Sequence, residues 1–498
     1  MSTISIQQAQ APYILTFDVG SSSIRTMVFD SQGRSLTDAL TQHPITLTST
    51  TDGGSFADPQ QLFDLLGACL DETLAKMGSF ANQITGVASC TFVGNGCGVN
   101  KQGQVIIPLL TYADTRSAAE VEQLKGLVDE AITYQRTGCR IHPSYLPTQL
   151  RWLAQAQSEA FEQVVYWLSF GEYVAWQLFG ERRVSHSVAS WSGLLNRHTL
   201  TWDNELLNHL PLTRNQLSPL SNFDQPMQGL RPEFAARWPA LKDIPWFPTI
   251  GDGAAANIGS GCVNEGNVAL TIGTTSALRV VIEGRNPTIP TGLWCYRVDQ
   301  KRALLGGALS EGGGLITWLQ TTLNLNDTHT LNQQVADLPP DQHGLTLLPF
   351  WAGERSPGWQ GDARGTIEGL SLSTTPEQML QAGMEAVAYR LALVFDLLSG
   401  ELENPPQLIT SGGALYHWPI WGQIIADVLG QPLLVSNVEE ASARGIALLA
   451  FEALNGRNLT DFSPQIIDTY TPRQAHFDRY RQALARQKRL YTKVLESN

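Results

Sequence analysis

What is scarce in this 498-residue chain narrows its chemistry first. It has only six cysteines, Cys69, Cys90, Cys97, Cys139, Cys262 and Cys295, and no two form a C-x-x-C pair. Neither a disulfide framework nor a zinc site has its usual spacing, so the thiols are expected to be reduced and mostly buried, as in a cytoplasmic protein. Basic residues are outnumbered, 33 Lys and Arg against 46 Asp and Glu, for a net charge of −13. That balance argues against a general polyanion surface, so neither nucleic acid nor an anionic membrane is expected as a partner. No apolar run is long enough to span a bilayer. The opening MSTISIQQAQAP lacks both a basic segment and an apolar core, and is expected to be a frayed tail rather than a signal peptide. The G-x-x-x-x-G-K-[ST] loop is missing too, which excludes a P-loop as the source of any phosphate chemistry.

What is present describes a globular protein, 43% hydrophobic and 16% charged, long enough for two to three domains with their own cores. A homodimer is left possible. The segment Phe247 to Val281 organises the rest. In it Asp252 stands between Gly251 and Gly253, where permissive backbone angles predict a sharp turn exposing the carboxylate to a ligand. Small residues then suit a helix whose N-terminus points at the same spot. The alternative is an ordinary Gly-Asp-Gly helix cap.

Further along, Ala269-Leu270-Thr271-Ile272 breaks at Gly273-Thr274-Thr275-Ser276 and resumes as Ala277-Leu278-Arg279-Val280-Val281. Near the N-terminus Ile14 to Asp18 and Val19 break at Gly20-Ser21-Ser22-Ser23 and resume as Ile24-Arg25-Thr26-Met27-Val28-Phe29. Each copy reads as an apolar strand, a donor-rich turn and a second strand, so the fold is expected to be duplicated. Asp58-Pro59 opens a helix, and Ile84 to Cys90 reads as a buried strand entering the turn Val93-Gly94-Asn95-Gly96. This alternation means α/β, with ligands expected where strands exit into loops.

An apolar run from Ile106 delivers Tyr112, Asp114 and Arg116 in close succession. These are either a ligand set or a helix start with Asp114 as cap. His142, held before Pro143, is either a ligand group or a packed turn histidine. In the second half Glu311-Gly312-Gly313-Gly314 precedes a helix, and Leu347 to Pro357 reads as a surface-seeking loop. A long helix is predicted from about Pro376 to Leu398. Ser411-Gly412-Gly413-Ala414 ends a strand and leads into a helix with His417, and the last helix reads as a solvated cap.

Taken together, Asp18 to Ser23, Gly251-Asp252-Gly253, Gly273-Thr274-Thr275, Gly353-Glu354-Arg355-Ser356-Pro357 and Ser411-Gly412-Gly413-Ala414 resemble the FGGY family of carbohydrate kinases, in order, over about Tyr13 to Ala450. The resemblance implies two actin-like (ribonuclease H-like) α/β domains facing a central cleft. The N-terminal one, 12–261, would bind sugar and supply the base; the C-terminal one, 262–498, would bind nucleotide. It implies ATP-dependent phosphorylation of a hydroxyl of a small sugar or sugar acid, with Asp252 as base. Asp18 would hold Mg2+ and, with Gly20, Ser21, Ser22, Gly273 and Thr274, the phosphates. Gly313, Gly412, Gly413 and His417 would border the adenosine, while Asn95, Tyr112, Asp114 and Arg116 would line the sugar. Such chemistry asks the protein mainly for positioning, charge neutralisation and one proton-accepting carboxylate. The Tyr112 to Arg116 and Thr137 to Pro143 segments look most like gluconate kinases. The chain departs from them in placing Val93-Gly94 where Met-His is usual. Gluconate is the first expectation, a pentulose (xylulose or ribulose) or polyol the second, and an actin-like ATPase or a non-catalytic sugar sensor the alternative class.

Overall fold

The computed structural model describes residues 3–411 and 413–496. Strand β1 (Tyr13–Val19) turns back into β2 (Ser23–Phe29), and β3 (Ile84–Thr91) and β4 (Ile250–Gly251) add in parallel on the other side of β1. Beyond β2 lie Ser35–Leu36 and Thr41–Pro44. The second half repeats this plan: β5 (Asn267–Ile272) pairs antiparallel with β6 (Ser276–Glu283), which pairs antiparallel with β7 (Arg302–Leu309), while β8 (Gln407–Thr410) and β9 (Leu433–Ser436) add in parallel beside β5. Both sheets have seven strands. The duplication expected from the two Gly-hydroxyl turns is therefore a duplication of strand order.

Period-two alternation sends each strand's side chains to two different cores. Leu15, Phe17 and Val19 pack into the N-terminal core, whereas Ile14 joins a cluster shared with the second half. Leu278, Val280 and Ile282 likewise pack inside the second half, while Ala277 and Val281 face the shared cluster. Asp18 and Arg279 keep the parity of the shared face, so one charged residue from each half is aimed between the halves.

Two helices cross there: α1 (Asp252–Gly259), following β4, and α2 (Ala441–Asn455). A Cβ built on Gly259 would lie 1.8 Å from the Ala441 carbonyl oxygen, and one on Gly445 1.8 Å from that of Ala255. Only glycines permit so close a crossing. Arg444 fixes it by donating to the carbonyls of Gly33, Gly259 and Phe462.

Three expectations are corrected. Thr3–Ile4 pairs with Ser35–Leu36 and Ile6 is buried against the N-terminal core, so this stretch is an ordered sheet edge and not a frayed tail. The final helix, α3 (Gln474–Tyr491), is no solvated cap, because Tyr480, Ala483, Leu484 and Leu490 are buried. Leu347 to Pro357 does not seek the surface; Glu354 and Ser356 are 3% and 1% exposed. The predicted long helix runs Pro376–Ser399, and Asp58 caps the helix Pro59–Met77 through the Gln60 N–H at 2.8 Å. All six cysteines are free and buried. Among the described residues no helix is long and apolar enough to cross a membrane.

Candidate active site

In the N-terminal sheet Asp18 is in register with Cys90, and Thr91 with Gly251. Asp18 and Asp252 consequently emerge at the carboxyl ends of parallel strands, where open α/β sheets bind ligands. Asp252 is the first residue of α1 and accepts from the Gly253 N–H at 2.7 Å. The turn before it does not need special angles, since Gly251 has φ −69°. What glycine supplies there is room: a Cβ would meet Trp191 Nε1 at 2.7 Å and Val93 Cγ1 at 2.9 Å.

A cavity of about 160 Å³ opens at Asp252. Ser21, Gly94, Tyr112, Ser144, Tyr145 and Trp191 line it from the first half, and Arg279, Trp294, Tyr296, Arg355 and Trp359 from the second. Its floor is an aromatic seam, with Trp191 stacked on Tyr296 at 3.6 Å and the Tyr145 and Tyr296 hydroxyls 2.5 Å apart. Stacked rings suit the C–H faces of a carbon chain bearing hydroxyls. Gly94, with φ +67°, lies against Tyr112 and Ser144, each 3.0 Å from where its Cβ would be. A histidine at that position has neither the backbone conformation nor the space.

The electrostatics are those of crowded charge. Burial, and then the nearby Asp252 carboxylate, push Asp18 up to about 7. Burial also raises Asp252, opposed by the Arg279 guanidinium and the Gly253 N–H. Arg279 is pushed down to about 10 by burial, and Arg355 adds like-charge repulsion. Its Nε is buried without a partner, while Nη1 reaches Thr271 Oγ1 at 3.3 Å. His142, packed edge-on against Trp359, is pushed down to about 4 by burial and by Arg355, so it is neutral at physiological pH.

The remaining expected sugar residues separate. Tyr112 lines the cavity. Asn95 is consumed inside the fold, donating to the Phe92 carbonyl and accepting from the Phe170 N–H. Asp114 and Arg116 hold each other at 2.6 Å, with Asp114 also accepting from the Ser55 N–H and Arg116 stacked 4.4 Å over Trp152. Neither lines the cavity.

Of the residues expected at the nucleotide, Gly273, Thr274, Gly313 and Gly413 lie near one another. The Gly313 N–H donates to the Gly273 carbonyl at 2.7 Å and the Gly314 N–H to that of Thr274 at 3.0 Å, docking the helix Gly313–Thr322 onto the β5–β6 turn. A Cβ on Gly313 would also come 3.7 Å from Ala414, beside Gly413. A Cβ on Gly413 would meet nothing within 4 Å, so this glycine borders open space. His417 ends the same short helix, exposed, and its carbonyl accepts from Asn332. Gly412 lies outside the described residues. In the first turn Gly20 donates to the Ser23 carbonyl, leaving Ser21 and Ser22 exposed, with Ser21 reaching the cavity.

The sequence profile for the N-terminal domain of the FGGY family of carbohydrate kinases matches residues 13–259, and that for the C-terminal domain matches 268–454. The chain belongs to the FGGY family of carbohydrate kinases. It is a phosphotransferase with an alcohol group as acceptor, and ATP is the phosphoryl donor of such a kinase. It is 26% identical over 456 residues to a gluconokinase of Bacillus subtilis, covering 89% of this chain and 87% of that protein. A xylulose kinase and a gluconate kinase from Lactobacillus acidophilus share the fold, each with TM-score 0.90 and 24% identity over 97% of this chain, and 99% and 98% of theirs.

Sequence reasoning passed over Arg279 and Arg355 in this FGGY kinase as ligand groups. For Arg279 the signal was available, since a lone charge inside an otherwise apolar strand demands a partner or a ligand. For Arg355 it was weaker, because a Gly-Glu-Arg-Ser-Pro loop reads as solvent-facing until its neighbours are known to be buried.

Proposed function

We propose that this kinase phosphorylates a sugar acid, with gluconate first, and that Asp252 is the base that takes the proton from the attacking hydroxyl. The observation that carries the substrate choice is the composition of the cavity: two guanidinium groups, Arg279 and Arg355, against the single carboxylate of Asp252. A neutral ketose would leave that surplus positive charge uncompensated, whereas a carboxylate satisfies it through charge-assisted hydrogen bonds. The gluconokinase relative supports the same choice.

The residues divide by domain, with the boundary placed at 261/262. Ser21 and Asp252 meet the acceptor from the first half. Gly273, Thr274, Gly313 and Gly413 form the open rim that we assign to the nucleotide. Asp18 fits a divalent cation: it is a buried carboxylate crowded by a second one, with its pKa raised to about 7, and a cation beside it relieves that repulsion. We assign Mg2+ to Asp18, where the ion would neutralise charge on the transferring phosphoryl group. The Arg279 guanidinium opposes the upward shift that burial gives Asp252, and the Gly253 N–H orients its carboxylate.

An ATP-consumption assay over gluconate, other aldonates, xylulose, ribulose and polyols tests this reading. Turnover of gluconate above all neutral sugars is expected. Robust turnover of a pentulose with none on gluconate refutes the substrate and leaves the family assignment standing.

A further inference from the structure

The two cavity arginines are held differently. Arg279 donates to Thr271 Oγ1 and lies in the field of the Asp252 carboxylate, so part of its charge is answered from within the protein. Among the described residues the Arg355 side chain has no ion pair and no hydrogen-bond partner, although it lines the cavity. Its neighbours on both sides are fixed. Glu354 is buried in an ion pair with Arg390 and accepts from the Tyr491 hydroxyl at 2.7 Å. Ser356 exchanges two hydrogen bonds with Ala308 on β7, N–H to carbonyl at 3.0 Å and N–H to Oγ at 3.2 Å. Trp359 is tied by its indole N–H to the Gly292 carbonyl at 3.0 Å. A guanidinium without a partner, carried by a backbone anchored at residues before and after it, is a preorganised anion receptor. The nearest charge that feels its field is the like charge of Arg279, which cannot serve as its partner.

Resting on the sugar-acid reading above, we propose that Arg355 is the residue that reads the substrate carboxylate, while Arg279 serves the base Asp252. The acid end of the substrate then lies against the second domain and the reacting hydroxyl against the first, so a bound aldonate bridges the two halves. The same guanidinium could meet another anion, the transferring phosphoryl group of ATP, and the test separates the two.

The test compares gluconate with gluconamide, which has the same carbon chain and hydroxyls but no charge, in the full-length enzyme. Wild type is expected to prefer gluconate in kcat/KM by about 10- to 100-fold, the span of one charged hydrogen bond. Arg355→Ala is expected to bring that preference to within about threefold, mostly through KM for gluconate, with KM for ATP within about threefold of wild type. Arg355→Lys, which keeps charge but loses the planar fork, is expected to fall between. A wild-type enzyme that turns over gluconate, with Arg355→Ala retaining the full preference, overturns the role of Arg355 and leaves the substrate standing. A rise in KM for ATP equal to that for gluconate assigns the guanidinium to the phosphoryl group and also overturns it. No gluconate turnover in wild type removes the substrate reading and this inference together.

Discussion

Replacing Asp18 by asparagine is predicted to stabilise the protein while removing its activity. Asp18 is 8% exposed, and its carboxyl is raised from the ordinary 3.8 to about 7, chiefly by burial and then by Asp252. At about 1.4 kcal/mol per pKa unit, holding it ionised in the folded state costs about 4 kcal/mol above pH 7. The sign follows from proton binding: between 3.8 and about 7 the folded state holds the proton that the unfolded state has lost, so stability falls as pH rises through that window. An amide carries no charge to titrate. The advantage of Asp18→Asn should therefore be small near pH 4 and should grow by about 2 kcal/mol between pH 5 and 7.5. For a domain of this size that growth is about 5 °C in Tm. The assay is thermal unfolding of both proteins across that range, without nucleotide. With Mg2+ and ATP added at pH 7.5, wild type should gain stability that Asp18→Asn does not. An advantage independent of pH, or a variant less stable than wild type at pH 7.5, refutes the account of Asp18 as a strained ion-holding carboxylate.

Asp252→Asn should keep the fold and KM for ATP but lower kcat by about 10²- to 10⁴-fold, the usual contribution of a general base; near-native kcat would dismiss Asp252 from that role. Because burial raises Asp252, the acid limb of kcat/KM should lie above the ordinary carboxylate range and disappear in that variant, as read from a pH profile on gluconate. Gly413→Val meets open space in the protein itself, so it should raise KM for ATP with no change in Tm; a matching loss of thermal stability would make the glycine structural. Arg116→Ala leaves the 1%-exposed Asp114 side chain without its cation and should cost ~3 kcal/mol of stability, with no change in the preference for gluconate over a neutral sugar.

The sequence by itself determined the features that short-range patterns encode. Alternating apolar strands broken at Gly20-Ser21-Ser22 and Gly273-Thr274-Thr275 are read from neighbouring residues, and two such breaks imply the duplicated sheet that β1 to β9 form. Asp252 was legible for the same reason, as a carboxylate held between small residues at the start of a helix. Tertiary structure alone decided which polar groups are left over for a ligand. Asp114 and Arg116 are two residues apart and look like a ligand clamp, yet Trp152 and Ser55, contributed by other segments, turn them into a closed internal pair. Arg355 looks solvated, yet Arg390, Tyr491 and Ala308 hold its neighbours and leave it lining the same cavity as Asp252. A hydrogen-bonding group serves either the fold or a ligand according to whether a distant segment reaches it first, and local sequence carries no record of that.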